Sequence, residues 1–183
     1  MLFDLPDPDT LYTALLARDE CFDGQAFVCV SSTGVFCRLT CPARKPKREN
    51  CTFYPTIGEC VEAGFRPCKR CHPLQAAALA DPAIAALLHA LDTRPGLRWS
   101  EDHVIKLGYD PSTSRRSFRR QFGMTFLEMA RQRRLREGCE TLAVGGKVVT
   151  AQHEASFESA SAFRAAFARL LGQSPSELRS DKM

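Results

Sequence analysis

The chain has 183 residues, 44% of them hydrophobic, and a formal net charge of +4. These values fit one medium globular domain or two small ones, and the charge is too mild to imply nucleic acid by itself. No apolar run approaches the roughly 20 residues of a membrane span, which excludes a helical membrane protein. The start is acidic and lacks a basic segment followed by an apolar one, so no signal peptide is expected. The expected location is cytoplasmic and nucleoid-associated, with no membrane partner. Nine cysteines are present, and eight of them fall between Cys21 and Cys71. In a cytosolic chain such a cluster points to metal rather than disulfides, and an odd count argues against complete pairing.

In chain order, Thr10 to Arg18 reads as a helix with Leu11, Tyr12, Leu15 and Leu16 as its apolar stripe. Asp23-Gly24 is a turn, followed by a strand over about 25–31. Thr33-Gly34 is a second turn into Val35-Phe36-Cys37. Residues 57–63 read as a short helix that Gly64 stops. Composition changes near residue 73: one cysteine follows, in an alanine- and leucine-rich sequence with helical periodicity. The boundary is placed between Pro73 and Pro82.

Beyond it, helices are expected over 82–92, from an N-cap at Ser100 to about Leu107, over 112–122, and over 126–142. Gly123 and Gly145-Gly146 are the stops. Leu127, Ala130, Leu135, Cys139 and Leu142 form the inner face of the long helix. Two more helices flank Ala155-Ser156-Phe157, and a last one begins at Pro175. The fold class is thus an α+β zinc-binding N-terminal domain followed by an all-α tandem helix-turn-helix domain. The expected boundaries are 1–75, a linker at 76–82, and 83–183.

Cys37-x-x-x-Cys41 and Cys68-x-x-Cys71 form two close pairs separated by residues 42–67. Zinc takes four such ligands in a tetrahedron, and two tight loops supply them at modest ordering cost. Buried reduced thiols and disulfides are the competing readings. Cys21, Cys29, Cys51, Cys60 and Cys139 are assigned to packing, with Cys51 as a substitute ligand and His72 as a surface or supporting residue. Arg38, Arg44, Lys45, Lys47, Arg48, Arg66, Lys69 and Arg70 surround the pairs. Four thiolates on a divalent zinc carry −2, so these cations either balance the cluster on a solvated face or contact phosphates.

The blocks Asp23-Gly24, Thr33-Gly34-Val35-Phe36-Cys37-Arg38, Cys41-Pro42-Ala43-Arg44-Lys45-Pro46-Lys47-Arg48-Glu49-Asn50 and Gly64-Phe65-Arg66-Pro67-Cys68-Lys69-Arg70-Cys71 resemble the N-terminal domain of the Ada family of alkylation-damage regulators. The second half resembles an AraC-type DNA-binding domain. The resemblance implies that Cys37 accepts a methyl group, once per molecule, from a methyl phosphotriester in double-stranded DNA. It also implies Zn2+ on Cys37, Cys41, Cys68 and Cys71, and transcriptional activation, with RNA polymerase as a further partner. Thr33, Arg44 and Arg66 are the expected phosphate-side contacts. A regulator with a purely structural zinc is the alternative. Repair of methylated guanine would need a Pro-Cys-His-Arg motif; Pro67-Cys68-Lys69-Arg70 belongs instead to the quartet. Because Ada-like proteins often continue into a base-repair domain, the chain is expected to be a shorter type or a truncated form.

Residues 112–136 contain eight arginines and one acid, Glu128. With Ser114, Phe118 and Gln121 inward, Ser112, Arg115, Arg116, Arg119 and Arg120 face outward, as a recognition helix in a major groove requires. In the second unit Phe163, Phe167 and Leu170 point inward. Ser161 and Arg164 belong to its outward surface, which has little capacity for reading bases. The first helix is therefore expected to read sequence and the second to position. Ser114, Gln152, His153 and Ser156 depart from the AraC-type pattern, and Ser156 stands at a turn where glycine is usual.

Overall fold

The computed structural model describes residues 5–172 and 174–180. The chain forms two compact units, one running up to Pro82 and taking in Phe118–Met124, the other comprising the rest of the sequence from Ala83. Among the described residues no helix is long and apolar enough to cross a membrane.

The first unit opens with helix α1, Pro8–Ala17. Asp7 caps it by accepting from the Asp9 and Thr10 N–H groups, both at 3.0 Å, and Pro8 occupies the first turn. Leu11 and Leu15 are buried as expected, whereas Leu16 is 51% exposed and leaves the stripe. Strands β1 (Phe27–Val30), β2 (Val35–Arg38), β3 (Cys51–Tyr54) and β4 (Arg66–Pro67) form a sheet in the order β3-β1-β2-β4. Strand β1 is antiparallel to β2 and β3, and β4 runs parallel to β2. Gly34, with φ +63°, makes the β1–β2 turn.

Alternation sorts the two faces of the sheet. Val28 lies opposite Cys37 and Val30 opposite Val35, and all four join Leu11 and Leu15 in one core. Cys29 pairs with Phe36 on the other face, where both are fully buried. Helix α2, Ile57–Glu62, is capped by Thr56, whose hydroxyl accepts from the Glu59 N–H at 3.1 Å. Strands β3 and β4 are absent from the sequence reading. A further helix, α3 (Gln75–Ala80), lies in the segment read as linker.

The second unit contains α4 (Pro82–Thr93), α5 (Glu101–Lys106), α6 (Pro111–Phe122), α7 (Phe126–Ala143), α8 (Val148–Glu154), α9 (Ala160–Leu171) and α10 (Pro175–Ser180), with the end of α6 grouped with the first unit. These follow the expected spans closely. Thr125 and Glu128 form a reciprocal capping box at the start of α7. Ser156 sits at φ +53°, in the left-handed region anticipated for a glycine position, and its hydroxyl donates to Gly96 O at 2.8 Å.

Two helix faces differ from expectation. On α6 the buried residues are Ser114, Phe118 and Phe122, while Gln121 is exposed: the inner stripe runs i, i+4, i+8. On α7 the buried residues are Phe126, Met129, Ala130, Arg134, Leu135, Gly138 and Leu142, with Leu127 and Cys139 only partly covered. Phe163 and Phe167 are fully buried on α9 as expected, and the Leu170 side chain lies outside the described residues.

Gly138 permits close helix packing. A Cβ there would lie 3.1 Å from Ala151 O, 3.2 Å from Ala155 Cβ and 3.3 Å from Phe163 Cε2. Replacing Gly138 with Val should therefore destabilise this unit by roughly 1–3 kcal/mol through overpacking. Urea unfolding followed by Trp99, the chain's single tryptophan, measures it; unchanged stability would show that the helices can separate at no cost.

Asp110 caps α6, accepting from the Ser112 hydroxyl and the Thr113 N–H, each at 2.7 Å. These bonds hold its carboxyl at about 2, below the ordinary 3.8. Because the folded value is the lower one, the stabilisation is present above about pH 4 and fades as pH falls toward 2. Unfolding midpoints should thus fall with acid over that window less steeply in an Asp110→Asn variant than in the parent.

Candidate metal centre

The four sulfurs converge because of three local features. Cys37 ends its inward alternation on β2, directly opposite Val28. A turn after β2, closed by the Cys41 N–H donating to Arg38 O at 3.1 Å, returns Cys41 to the same spot. The parallel pairing of β4 then delivers the second pair: the Arg66 N–H donates to Gly34 O and the Cys68 N–H to Phe36 O, each at 3.0 Å. A last turn, with the His72 N–H donating to Cys68 O at 3.1 Å, folds Cys71 back.

The resulting sulfurs of Cys37, Cys41, Cys68 and Cys71 all lie within 4.8 Å of one another and are buried. A tetrahedron with bonds of about 2.3 Å needs sulfurs roughly 4 Å apart, a spacing compatible with this cluster, so the set fits a zinc ion. Cys51 is outside it; its thiol donates to Lys47 O at 3.2 Å. Cys29 and Cys60 are fully buried and hydrogen-bond each other, and burial pushes Cys139 up to about 11, in keeping with packing roles. Cys21 is exposed, so its assignment to packing is corrected. His72 is exposed, with a left-handed backbone, φ +43°.

Crowded sulfurs cannot all ionise without a cation. The Cys37 thiol donates to Cys71, which pulls Cys71 down to about 5; that bond and then burial push Cys37 up. Backbone N–H groups also support individual sulfurs: Arg70 donates to Cys68 at 3.3 Å, Ala43 to Cys41, and Arg38 to Cys71. Among the described hydrogen bonds no backbone N–H reaches the Cys37 sulfur. Cys37 and Cys68 are slightly more accessible than Cys41 and Cys71, at 9% and 8% against 4% each.

The surrounding cations have different employments. Arg38 pairs with Asp23 at 3.0 Å. Arg48 pairs with Asp9 at 2.8 Å and stacks near Tyr12 and Phe53. Lys47 lies 3.6 Å from Glu49. These three cations are thus engaged in ion pairs within the unit. Lys45 is partly buried, its ammonium donating to Leu39 O and Cys41 O at 3.4 Å. Burial lowers its pKa, and the nearby Arg18 charge adds to this. Arg44, Arg66, Lys69 and Arg70 are exposed and form no ion pair among the described residues. Thr33 is exposed beside Arg66, in the turn whose Gly34 accepts from Arg66.

On α6, Ser112, Arg115, Arg116, Arg119 and Arg120 are all exposed, with Arg115 paired to Glu101. The arginines of α7 are different. Arg133 pairs with Asp92 at 2.6 Å and Arg136 with Glu140 at 2.7 Å. Arg134, only 7% exposed, donates to Ala155 O and Ser156 O at the end of α8. Ser161 and Arg164 are exposed on α9.

The family described as the metal binding domain of Ada matches residues 10–73, and a helix-turn-helix domain family matches residues 104–181. The chain belongs to the Ada family. The bifunctional transcriptional activator/DNA repair enzyme Ada of Escherichia coli K12 is 36% identical over 178 residues, which covers 93% of this chain and 49% of that protein. The chain thus spans about half the length of that relative. Over 65 residues, 36% of this chain and 31% of the relative, it is 42% identical to the bifunctional activator/repair enzyme AdaA of Bacillus subtilis. A crystal structure of the methylated N-Ada/DNA complex is 32% identical, with 70% of this chain and 98% of that one covered and a TM-score of 0.39.

One zinc per chain is expected by elemental analysis of purified protein. Cys68→Ala should abolish tight binding, and Cys51→Ala and Cys60→Ala should leave the stoichiometry unchanged. Loss of zinc from the Cys51 variant would enlarge the ligand set.

Proposed function

We propose that the chain removes methyl groups from DNA methyl phosphotriesters onto Cys37 and responds to that transfer by binding DNA more tightly as a transcriptional activator. The observation that carries this reading is the convergence of four buried sulfurs with unequal support: among the described hydrogen bonds Cys41, Cys68 and Cys71 have a backbone donor and Cys37 has none. Family membership supports the same reaction.

Zinc, when bound, keeps the sulfurs deprotonated at neutral pH, and a thiolate is the nucleophile that alkyl transfer needs. A hydrogen bond to a thiolate stabilises its charge and so lowers its basicity. Cys41, Cys68 and Cys71 are quietened in this way, while Cys37 keeps its electron density. In-line attack forms the S–C bond as the C–O bond of the methyl ester breaks, and the phosphate diester departs as an anion. Arg44, Arg66 and Thr33 hold the flanking phosphates, which positions the carbon and stabilises the leaving charge.

Methylation turns one thiolate into a neutral thioether, so the centre goes from −2 to −1 and its repulsion of the backbone falls. Double-stranded DNA is the partner. Ser112, Arg115, Arg116, Arg119 and Arg120 of α6 contact bases and phosphates, and Ser161 and Arg164 of α9 hold position. RNA polymerase is the downstream partner of an activator of alkylation-response genes. Domain boundaries at 1–75 and 83–183, with 76–82 between them, go with this division of labour.

The test is intact mass after incubation with DNA methylated on its phosphates, followed by peptide mapping. One added methyl on Cys37 is expected. No adduct on folded, zinc-loaded protein would overturn the reading and leave a DNA-binding regulator with a structural zinc.

A further inference from the structure

We infer that Lys45 is a built-in countercharge of the four-cysteine centre, so that methylation takes the centre and its lysine together from −1 to neutral. The lysine stands in the loop just after Cys41. Its ammonium is held by two carbonyls, Leu39 O and Cys41 O, each at 3.4 Å, and it is partly buried. A cation withdrawn from water needs an anion. Arg38 has Asp23 and Arg48 has Asp9, but Lys45 belongs to no carboxylate pair among the described residues. Its bond to Cys41 O sets the ammonium against a ligand residue, so the charge of the four-sulfur cluster bears on it, Cys41 and Cys37 foremost. Arg18, a like charge, acts against it, and its own guanidinium is held on Pro42 O at 3.2 Å.

The carbonyls matter because they fix the charge in place. A solvated lysine would be screened and would follow the nearest phosphate; this one is held on the loop that carries a ligand. Its attraction scales with the charge of the centre, so it stabilises the −2 state about twice as much as the −1 state. Lys45 therefore aids metal retention before transfer and lowers the repulsion that approaching DNA meets. It is a positioning residue, acting through the sulfurs. The consequence for DNA rests on the methyl-acceptor reading; the effect on the metal does not.

The experiment measures metal affinity of the full chain by chelator competition, without DNA, in a double-mutant cycle. Lys45→Met removes the charge, Lys45→Arg keeps it, and Cys37→His replaces one thiolate by a neutral ligand, giving a centre of −1. Cobalt spectra check that each variant holds a tetrahedral site. Lys45→Met should weaken binding on the order of ten-fold with four thiolates, but only about three-fold in the Cys37→His background, because the interaction energy is linear in charge. Lys45→Arg should restore most of the loss.

Equal losses in both backgrounds would assign Lys45 a purely structural role and overturn the inference, as would no loss with four thiolates. If Cys37→His holds no tetrahedral cobalt, the arginine variant decides. Restored affinity supports the countercharge, and affinity as poor as in Lys45→Met overturns it. A chain that retains this charge dependence but accepts no methyl would overturn the proposed function alone.

Discussion

The first unit depends on one requirement: two sulfur pairs from distant stretches of chain must meet in a volume smaller than a single side chain cluster. The two-residue strand β4 meets it by pairing parallel to β2, which sets Cys68 beside Cys37. The ligands are then part of the apolar core itself, grouped with Leu11, Leu15, Val28 and Leu39. A unit this small buries too little apolar surface to be robust by packing alone. Core and metal site are the same object, so metal binding and folding are coupled in one equilibrium.

Charge follows a second rule that holds in both units. Basic residues near a functional face divide into those used internally and those left outward. Around the centre, Arg38 and Arg48 brace the sheet and the loop against Asp23 and Asp9, while Arg44, Arg66, Lys69 and Arg70 point to solvent. In the helical unit, α7 uses Arg133 and Arg134 to tie helices together and pairs Arg136 with its own Glu140, and α6 keeps Arg116, Arg119 and Arg120 outward. A count of arginines overstates the surface offered to a polyanion.

The quartet was legible because close cysteine pairs beside prolines are a local signal, and helix ends were legible because Gly64, Gly108, Gly123 and Gly145 adopt positive φ where the pattern stops. Strand β4 was not, since two residues carry no periodicity and parallel pairing is a long-range event. The face of α6 was misplaced at Gln121 because i+7 and i+8 both continue a stripe of 3.6-residue period; Ser114, Phe118 and Phe122 define it. Arg134 reads as surface charge in any composition window. Its burial is decided by the orphan carbonyls at the end of α8, which no local pattern announces. The unequal hydrogen bonding of the four sulfurs was equally invisible, because it depends on where backbone N–H groups point after the turns close.

That inequality bears on how a core residue can be consumed by a reaction. Among the described hydrogen bonds three sulfurs accept from a backbone N–H, and the fourth is positioned by its strand. Cys37 lies in β2, paired with Val28 of β1, and its neighbour Phe36 accepts from the Cys68 N–H, so the strand around it is held from both sides without its sulfur. Converting that sulfur to a thioether weakens one ligand while the strand holds the side chain where it was. Had the acceptor been Cys41 or Cys71, whose turns lie outside the sheet, the same change would strike a position held by its sulfur contacts. On the proposed reading the acceptor ligand and a strand-held backbone coincide at Cys37, and that reading lets the site be spent without dismantling the fold around it.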